Sequence, residues 1–178
     1  MFAIDGAATK RNLRPAPQLP RWGYANDMRI HIGADHAGFE LRNHLIEHLT
    51  EAGHEVIDHG HKVYDKLDAY PEPCIACAEG VVADPGSLGI VIGGSGNGEQ
   101  MAANLVRGVR AALVWNEEVA VLAREHNNAN VISIGARQHS IEEATHFVDT
   151  FISRTFDPES RHQSRIEAMS AYRDAHWK

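Results

Sequence analysis

Short apolar runs alternate with segments of helical periodicity along most of the chain, and this alternation restricts the fold more than any other feature. Apolar runs bounded by turn residues predict strands, and leucines at four-residue steps, as at 41, 45 and 49, predict a helix. Five strand and helix pairs follow one another, with predicted strands at 29–33, 55–57, 89–92, 111–114 and 131–134 and predicted helices at 39–49, 73–83, after Gly98, 117–125 and 141–153.

This order of elements predicts an α/β fold. Strands separated by helices run parallel, and right-handed crossovers place helices on both faces of the sheet. We therefore expect a Rossmann-like three-layer sandwich with a five-stranded parallel sheet. Ligands of such folds bind at the carboxyl ends of the strands, so the residues after each strand are the first candidates for a site.

The length of the chain favours one domain. Its 178 residues, 43% of them hydrophobic, suffice for one well-buried core. Residues 1–27 contain three prolines and no apolar periodicity, so we expect a flexible N-terminal extension. The α/β domain itself is expected at 28–158, and a last helical pattern over 159–174 predicts an extra C-terminal helical arm, residues 159–178.

The charge of the chain excludes several classes of partner. A net charge of −7 without a basic stripe argues against binding to nucleic acid or to an anionic membrane surface. The sequence contains neither an apolar run of about 18 residues, which a membrane span needs, nor a secretory signal. We therefore expect a cytoplasmic protein, in which any phosphate site is a local cluster of Arg and His.

Cysteine and histidine spacing gives no metal site. Cys74 and Cys77 form a C-x-x-C pair, which is typical of redox or zinc sites, but no second pair accompanies it. Small apolar residues surround both cysteines, so we interpret them as buried residues near a helix start. The twelve histidines show no ligand spacing beyond the weak pair His59 and His61, and we predict no metal.

Two polar side chains follow the first predicted strand directly. Asp35 and His36 lie in the sequence Gly-Ala-Asp-His-Ala-Gly, near the start of a helix. An aspartate at this place is also a common helix cap. The adjacent histidine favours a functional site over the cap alone.

A glycine-rich loop follows the third predicted strand. Four of the six residues from 93 to 98 are glycine, which leaves backbone N–H groups free to converge on an anion at a helix start. The loop matches neither the dinucleotide fingerprint, nor a P-loop, nor the elbow of serine hydrolases. Glu99 stands in the first turn of the next helix, where it is either a surface cap or a functional carboxylate. The candidate residues of this loop are Gly94, Ser95, Gly96, Asn97, Gly98 and Glu99.

Further polar residues flank the fifth predicted strand and fill the C-terminal arm. Residues 125–128 read Glu-His-Asn-Asn before the strand, and Arg137 follows it. Capping explains one asparagine but not the whole group, which we expect to lie at the strand mouths. Arg161 and Arg165 are four residues apart, so on a helix they share one face, where two guanidiniums can bind one phosphate or simply face water.

Together these motifs resemble ribose-5-phosphate isomerase type B, a family of sugar-phosphate isomerases shared with galactose-6-phosphate isomerase. The resemblance extends over residues 28–175 and rests on Gly-Ala-Asp-His-Ala-Gly, Gly-Gly-Ser-Gly-Asn-Gly-Glu, Arg-Glu-His-Asn-Asn, Gly-Ala-Arg and Arg-His-Gln-x-x-Arg. It implies a Rossmann-like homodimer, or a tetramer, whose sites lie across the subunit interface. It also implies a cofactor-free reaction of the pentose phosphate pathway, which passes through a cis-enediolate.

One departure from the family pattern concerns the base. Many members carry a cysteine just before the glycine-rich loop, where this chain has Gly93. Another branch lacks that cysteine and uses a glutamate at the far end of the loop, the position of Glu99. The resemblance therefore implies a glutamate base, and we expect partial desolvation to keep its pKa near the working pH.

The resemblance also implies roles for the other candidates. His126 opens the furanose ring while Asp35 holds the ring hydroxyl or oxygen, and Glu99 moves a proton between C2 and C1. Ser95 assists transfer between the two oxygens, the loop amides stabilise the enediolate, and Asn127 contacts sugar hydroxyls. The phosphate is bound by His36, Arg137 and, from the neighbouring subunit's arm, Arg161 and Arg165.

Other functions remain open at this point. The same motifs serve isomerases of allose 6-phosphate, galactose 6-phosphate or erythrulose 4-phosphate, and residues 60–70 with the partner's arm would set the sugar length. A non-catalytic phosphate- or nucleotide-binding module would need the loop and the arginines but not Glu99 or His126. A nicotinamide-dependent oxidoreductase is disfavoured because the first βα turn lacks the dinucleotide fingerprint.

Overall fold

A computed structural model describes residues 28–176, so the expected N-terminal extension, residues 1–27, lies outside the described residues. The strands are β1 (Arg29–Ala34), β2 (Glu55–Asp58), β3 (Leu88–Gly93), β4 (Ala111–Leu113) and β5 (Val131–Gly135). The helices are α1 (Phe39–Glu51), α2 (Pro71–Ala83), α3 (Asn97–Ala103), α4 (Glu117–Asn127), α5 (Ile141–Ile152) and α6 (Gln163–His176), with a 3-10 turn at His36–Gly38.

The five strands form one parallel sheet in the order β2-β1-β3-β5-β4, as the alternation of elements predicts. From β1 the chain moves first outward to β2 and then to the other side of β1, where β3 pairs. The connections that leave β1 and β3 therefore diverge. A crevice opens at such a switch point, beyond the carboxyl ends of the two strands.

The core fills both faces of the sheet, since every residue of β3 and of β5 is buried. On one face Leu45, Leu49 and Phe151 of α1 and α5 pack on the strands. On the other face Cys74 and Cys77 of α2 pack on Val91. Both cysteines are free and fully buried, as predicted, and burial raises the pKa of the Cys77 thiol to about 12. A thiol with such a pKa stays protonated and unreactive near neutral pH.

The C-terminal helix begins later than the sequence suggests. We expected a helix from residue 159, but α6 starts at Gln163. The Asp157 carboxylate accepts a hydrogen bond from the Glu159 N–H at 2.9 Å, and this local turn competes with the first helical turn. Arg161 therefore lies before the helix, and the prediction that it shares a helix face with Arg165 is wrong.

The C-terminal arm contacts the rest of its own chain. Ile166 of α6 is buried, and Asp174 forms an ion pair with Arg107 at 2.8 Å. Within residues 28–176, no helix has both the length and the apolar character to cross a bilayer.

Candidate active site

Three strand ends meet at the carboxyl edge of the sheet. In the parallel register Ala34 of β1 pairs with Ile92 of β3, and Gly93 pairs with Gly135 of β5. The segments that begin at Asp35, Gly94 and Ala136 therefore leave the sheet side by side. This edge brings together the polar residues that follow β1, β3 and β5.

The glycine-rich loop is held by the end of β5. Gly96 has a φ of +80°, and a Cβ there would overlap Leu113 and the backbone of Ile134 and Gly135. The Ser133 hydroxyl donates to the Gly96 carbonyl at 2.7 Å, and the Ala136 N–H donates to the Gly93 carbonyl at 2.8 Å. At position 96, both the positive φ and the lack of space for a side chain require glycine. These hydrogen bonds fasten the loop to the end of β5.

The ligand side of this loop is polar and open. Ser95 and Asn97 are exposed, and the Asn97 side-chain amide donates to the Ser95 hydroxyl at 3.3 Å. The Arg137 guanidinium lies beside Gly94, because a Cβ on Gly94 would contact its Nη1 at 3.4 Å. The hydroxyl and backbone amides of this loop therefore lie beside the guanidinium that follows β5.

Glu99 is buried beneath this loop. It is 4% exposed, and its Oε2 has no hydrogen-bond partner among the described residues. Burial raises the pKa of the Glu99 carboxyl, and the charge of Asp35 raises it further, while backbone N–H groups act in the opposite direction. A carboxylate with a raised pKa and one oxygen free of hydrogen bonds is suited to accept a proton near neutral pH. Glu99 is therefore not the surface cap that the sequence left open.

Gly93 makes room for this carboxylate. A Cβ at position 93 would overlap the Glu99 side chain. Any side chain at position 93 would occupy the space that the Glu99 side chain fills in this conformation. The absence of a cysteine side chain at position 93 thus leaves the space that the buried Glu99 side chain occupies.

Asp35 both caps a turn and faces the site. It is buried, and its Oδ1 accepts hydrogen bonds from the Ala37 and Gly38 N–H groups at 2.9 and 3.4 Å. Its Oδ2 lies 3.9 Å from the His36 ring Nδ1. The cap therefore engages one oxygen and leaves the other near the His36 ring.

The β2–α2 loop, residues 59–70, contributes two side chains that the sequence did not single out. The Asp68 carboxylate accepts hydrogen bonds from the backbone N–H and the ring Nδ1 of His36, at 2.7 and 2.9 Å. The Tyr70 ring lies against Gly98, where a Cβ would overlap it. Both residues reach the site from a loop without periodicity. The only available signal was the position of the loop after a strand end.

His126 and Asn127 do not lie beside Glu99. They end α4, and β5 then starts at Val131, which pairs with Gly89 at the amino end of β3. Four residue steps of strand, about 13 Å, separate that pair from Gly93. The expectation that residues 125–128 lie at the strand mouths is wrong, because a helix that precedes a parallel strand ends at the strand's amino edge.

The arm joins His126 at this second edge. The rings of His126 and His162 stack with centroids 4.0 Å apart, and Arg165 Nη1 lies 3.5 Å from His162 Nδ1. Arg161 and Arg165 are exposed. The candidates thus form two groups on one chain. One group is at the carboxyl edge, and the other, with His162 as a member that the sequence did not single out, is at the amino edge.

Among the described residues, Asp35, His36 and Asp68 are a group with metal-ligand atoms within 4.8 Å of one another. The His36 Nδ1 in this group is already engaged in the 2.9 Å hydrogen bond with Asp68. A histidine binds a metal through a free ring nitrogen. The His36 imidazole therefore lies between the carboxylates of Asp35 and Asp68 and is hydrogen-bonded to Asp68.

A buried carboxylate under a loop of backbone amides, on a doubly wound sheet, defines a class of protein: an α/β enzyme equipped to move a proton and stabilise an oxyanion. The family model described as Ribose/Galactose Isomerase matches residues 30–169. The chain belongs to this ribose/galactose isomerase family.

Individual relatives support the same assignment. Ribose-5-phosphate isomerase B of Mycobacterium tuberculosis (strain ATCC 25618 / H37Rv) is 55% identical over 149 residues, 84% of this chain and 92% of that protein. The Escherichia coli (strain K12) protein of the same name is 37% identical over 143 residues, 80% of this chain and 95% of that protein. The structure of ribose-5-phosphate isomerase B from Mycoplasma genitalium with bound ribulose-5-phosphate matches with a TM-score of 0.79 and 38% identity, covering 83% of this chain and 97% of that one.

Proposed function

We propose that this protein interconverts D-ribose 5-phosphate and D-ribulose 5-phosphate, a reaction of the pentose phosphate pathway. The observation that carries the proposal is the buried carboxylate of Glu99 beneath the glycine-rich loop, whose Oε2 has no hydrogen-bond partner among the described residues. The relatives named ribose-5-phosphate isomerase B, one of them with ribulose-5-phosphate bound, support the choice of substrate.

In the proposed reaction, His126 assists opening of the furanose ring while Asp35 holds the ring hydroxyl or oxygen. Glu99 then takes the proton from C2 of the aldose and returns it to C1, which produces the ketose. The enediolate between these two steps carries negative charge, and the amides of residues 94–98 stabilise it. Ser95 assists proton transfer between the two oxygens. A positioned base typically contributes about 10²- to 10⁴-fold to the rate.

The phosphate would be bound by His36, Arg137, Arg161 and Arg165, with Asn127 on the sugar hydroxyls. This proposal requires two chains, because Glu99 and His126 lie at opposite edges of one sheet. A homodimer in which the amino edge and arm of one subunit meet the carboxyl edge of the other would complete each site. The need for a complete site supports both this assembly and an arm that packs on the partner. A phosphorylated sugar as substrate supports the expected cytoplasmic location.

Galactose 6-phosphate remains the competing substrate, because the matching family model includes galactose isomerases. In either case the reacting carbons and the phosphate are shared, and the difference is the length of the sugar. The β2–α2 loop lies beside the site and is the segment that would discriminate between sugars of different length.

The test is turnover by the purified full-length protein in EDTA. Ribose 5-phosphate is offered in parallel with galactose 6-phosphate, allose 6-phosphate and erythrulose 4-phosphate. We expect robust conversion of the pentose and little of the others. Preference for a hexose phosphate would change the substrate but keep the reaction, and no turnover on any of the four would overturn the proposal.

A further inference from the structure

The β2–α2 loop contributes one largely buried acidic side chain, Asp68, to the site. Residues 61–67 of this loop are exposed, as are Ala69 and Tyr70, whereas the Asp68 side chain is only 8% exposed. One oxygen of Asp68 accepts both hydrogen bonds from His36. Two donors of one residue thus converge on one acceptor that comes from 32 positions away in the sequence.

This pair of hydrogen bonds determines the orientation of the His36 ring. The backbone N–H locates the Asp68 oxygen relative to the main chain after β1, and the ring Nδ1 then has to face that oxygen. Nε2 remains as the ring nitrogen for a ligand. Tyr64 contacts the same ring edge-on, with centroids 6.5 Å apart, and Asp35 Oδ2 lies 3.9 Å from Nδ1.

We propose that Asp68 is a positioning residue of the phosphate subsite, which acts through His36 and does not itself touch the substrate. With its Nδ1 hydrogen-bonded to Asp68, the ring presents its Nε2 to the phosphate in one fixed direction. A ligand group held in advance binds without the entropy cost of ordering it. This inference rests on the proposed function, because it assumes that His36 binds a phosphate.

The experiment is a double-mutant cycle between Asp68 and His36 in the full-length protein, with two readouts. The first readout is the KM and kcat for ribose 5-phosphate, and the second is the affinity for inorganic phosphate measured by calorimetry. We expect Asp68→Ala to raise KM and weaken phosphate binding about tenfold, while kcat changes less, as for the loss of a charged hydrogen bond. In the His36→Ala background, Asp68→Ala should have almost no further effect.

Two further variants separate positioning from a general loosening of the loop. Asp68→Asn keeps an oxygen acceptor at the same place and should restore most of the affinity. Asp65→Ala is the matched control, because the Asp65 carboxylate accepts a hydrogen bond only within the same loop, from the Leu67 N–H at 2.9 Å. We expect its KM and phosphate affinity to stay close to those of the wild type.

An unchanged KM and phosphate affinity in Asp68→Ala would overturn the inference, as would an undiminished effect of Asp68→Ala in the His36→Ala background. A loss in Asp65→Ala equal to that in Asp68→Ala would also overturn it, since loop order alone would then explain the result. Phosphate binding does not require turnover. An inactive wild type would therefore refute the proposed substrate, while the phosphate affinities of the variants would still test the role of Asp68.

Discussion

At the scale of single residues, Glu99 carries the proposed chemistry. Glu99→Gln keeps the shape of the side chain and removes the ability to accept a proton. We expect kcat to fall about 10²-fold or more while KM changes little, because the lost contribution is general-base catalysis. Steady-state kinetics measures both values, and circular dichroism checks that the fold is kept. Near-normal turnover in this variant would eliminate Glu99 as the base.

Burial of Glu99 also predicts a pH dependence. The base acts only when ionised, and its pKa is raised from 4.5, chiefly by burial. As the pH falls through this raised pKa, Glu99 becomes protonated and kcat/KM drops. The acid limb of the kcat/KM profile should thus lie above pH 4.5, and ellipticity recorded at each pH excludes unfolding. A profile that stays flat down to pH 4.5 would contradict a buried carboxylate base.

Gly93 is expected to be as necessary as the base itself. In Gly93→Ala the added methyl group would overlap the Glu99 carboxylate and displace it. A displacement of about 1 Å at a reacting group is enough to lower the rate about 10²-fold. We expect a large loss of kcat in the wild-type background and little further loss when Glu99→Gln is already present. Full additivity of the two losses would show that Gly93 acts on something other than Glu99.

The part of the candidate site that the sequence could predict is the set of residues that directly follow strands. Asp35, His36 and the glycine-rich loop follow strands directly, so the sequence was sufficient to select them. The contact of Glu99 with Gly93 was not predictable, because it depends on how the chain folds back within the loop. Asp68 was missed for a related reason: its partner His36 is distant in sequence, and the β2–α2 loop has no periodic pattern.

At the scale of elements, the strands and most helices agreed with the sequence because their periodicity is a local property. The start of α6 did not, since the Asp157 side chain forms a turn that replaces the first helical turn. The placement of residues 125–128 was wrong for a topological reason. Helices and strands alternate in direction, so α4 delivers His126 to the amino edge and not to the carboxyl edge.

The arm is expected to contribute to substrate affinity more than to the chemical step. Arg161→Ala and Arg165→Ala should each raise KM for ribose 5-phosphate with little change in kcat, because phosphate contacts are lost equally from ground and transition states. Arg173→Ala is a suitable control, since this arginine is on the same arm and its Nε lies 3.4 Å from Asp174 Oδ1. Unchanged KM in both test variants would remove the arm from the phosphate subsite.

At the scale of the whole molecule, the candidate residues lie in two groups at opposite edges of one sheet. The carboxyl edge carries Glu99, Asp35 and the loop, and the amino edge carries His126 and the arm. In the proposed homodimer, a two-fold symmetric pair of chains uses the same two surfaces twice and so completes two identical sites. Under this proposal dimerisation is a condition for activity, and we expect the stability of the dimer to determine the protein concentration at which turnover appears.

The most direct test of this account mixes two inactive variants, Glu99→Gln and His126→Ala, by co-refolding equal amounts. If each site takes Glu99 from one chain and His126 from the other, every mixed dimer has one intact site, and the mixture recovers about a quarter of wild-type activity from random pairing. Each variant refolded alone stays inactive. A mixture as inactive as its two components would show that both residues act within one chain, which contradicts the shared site.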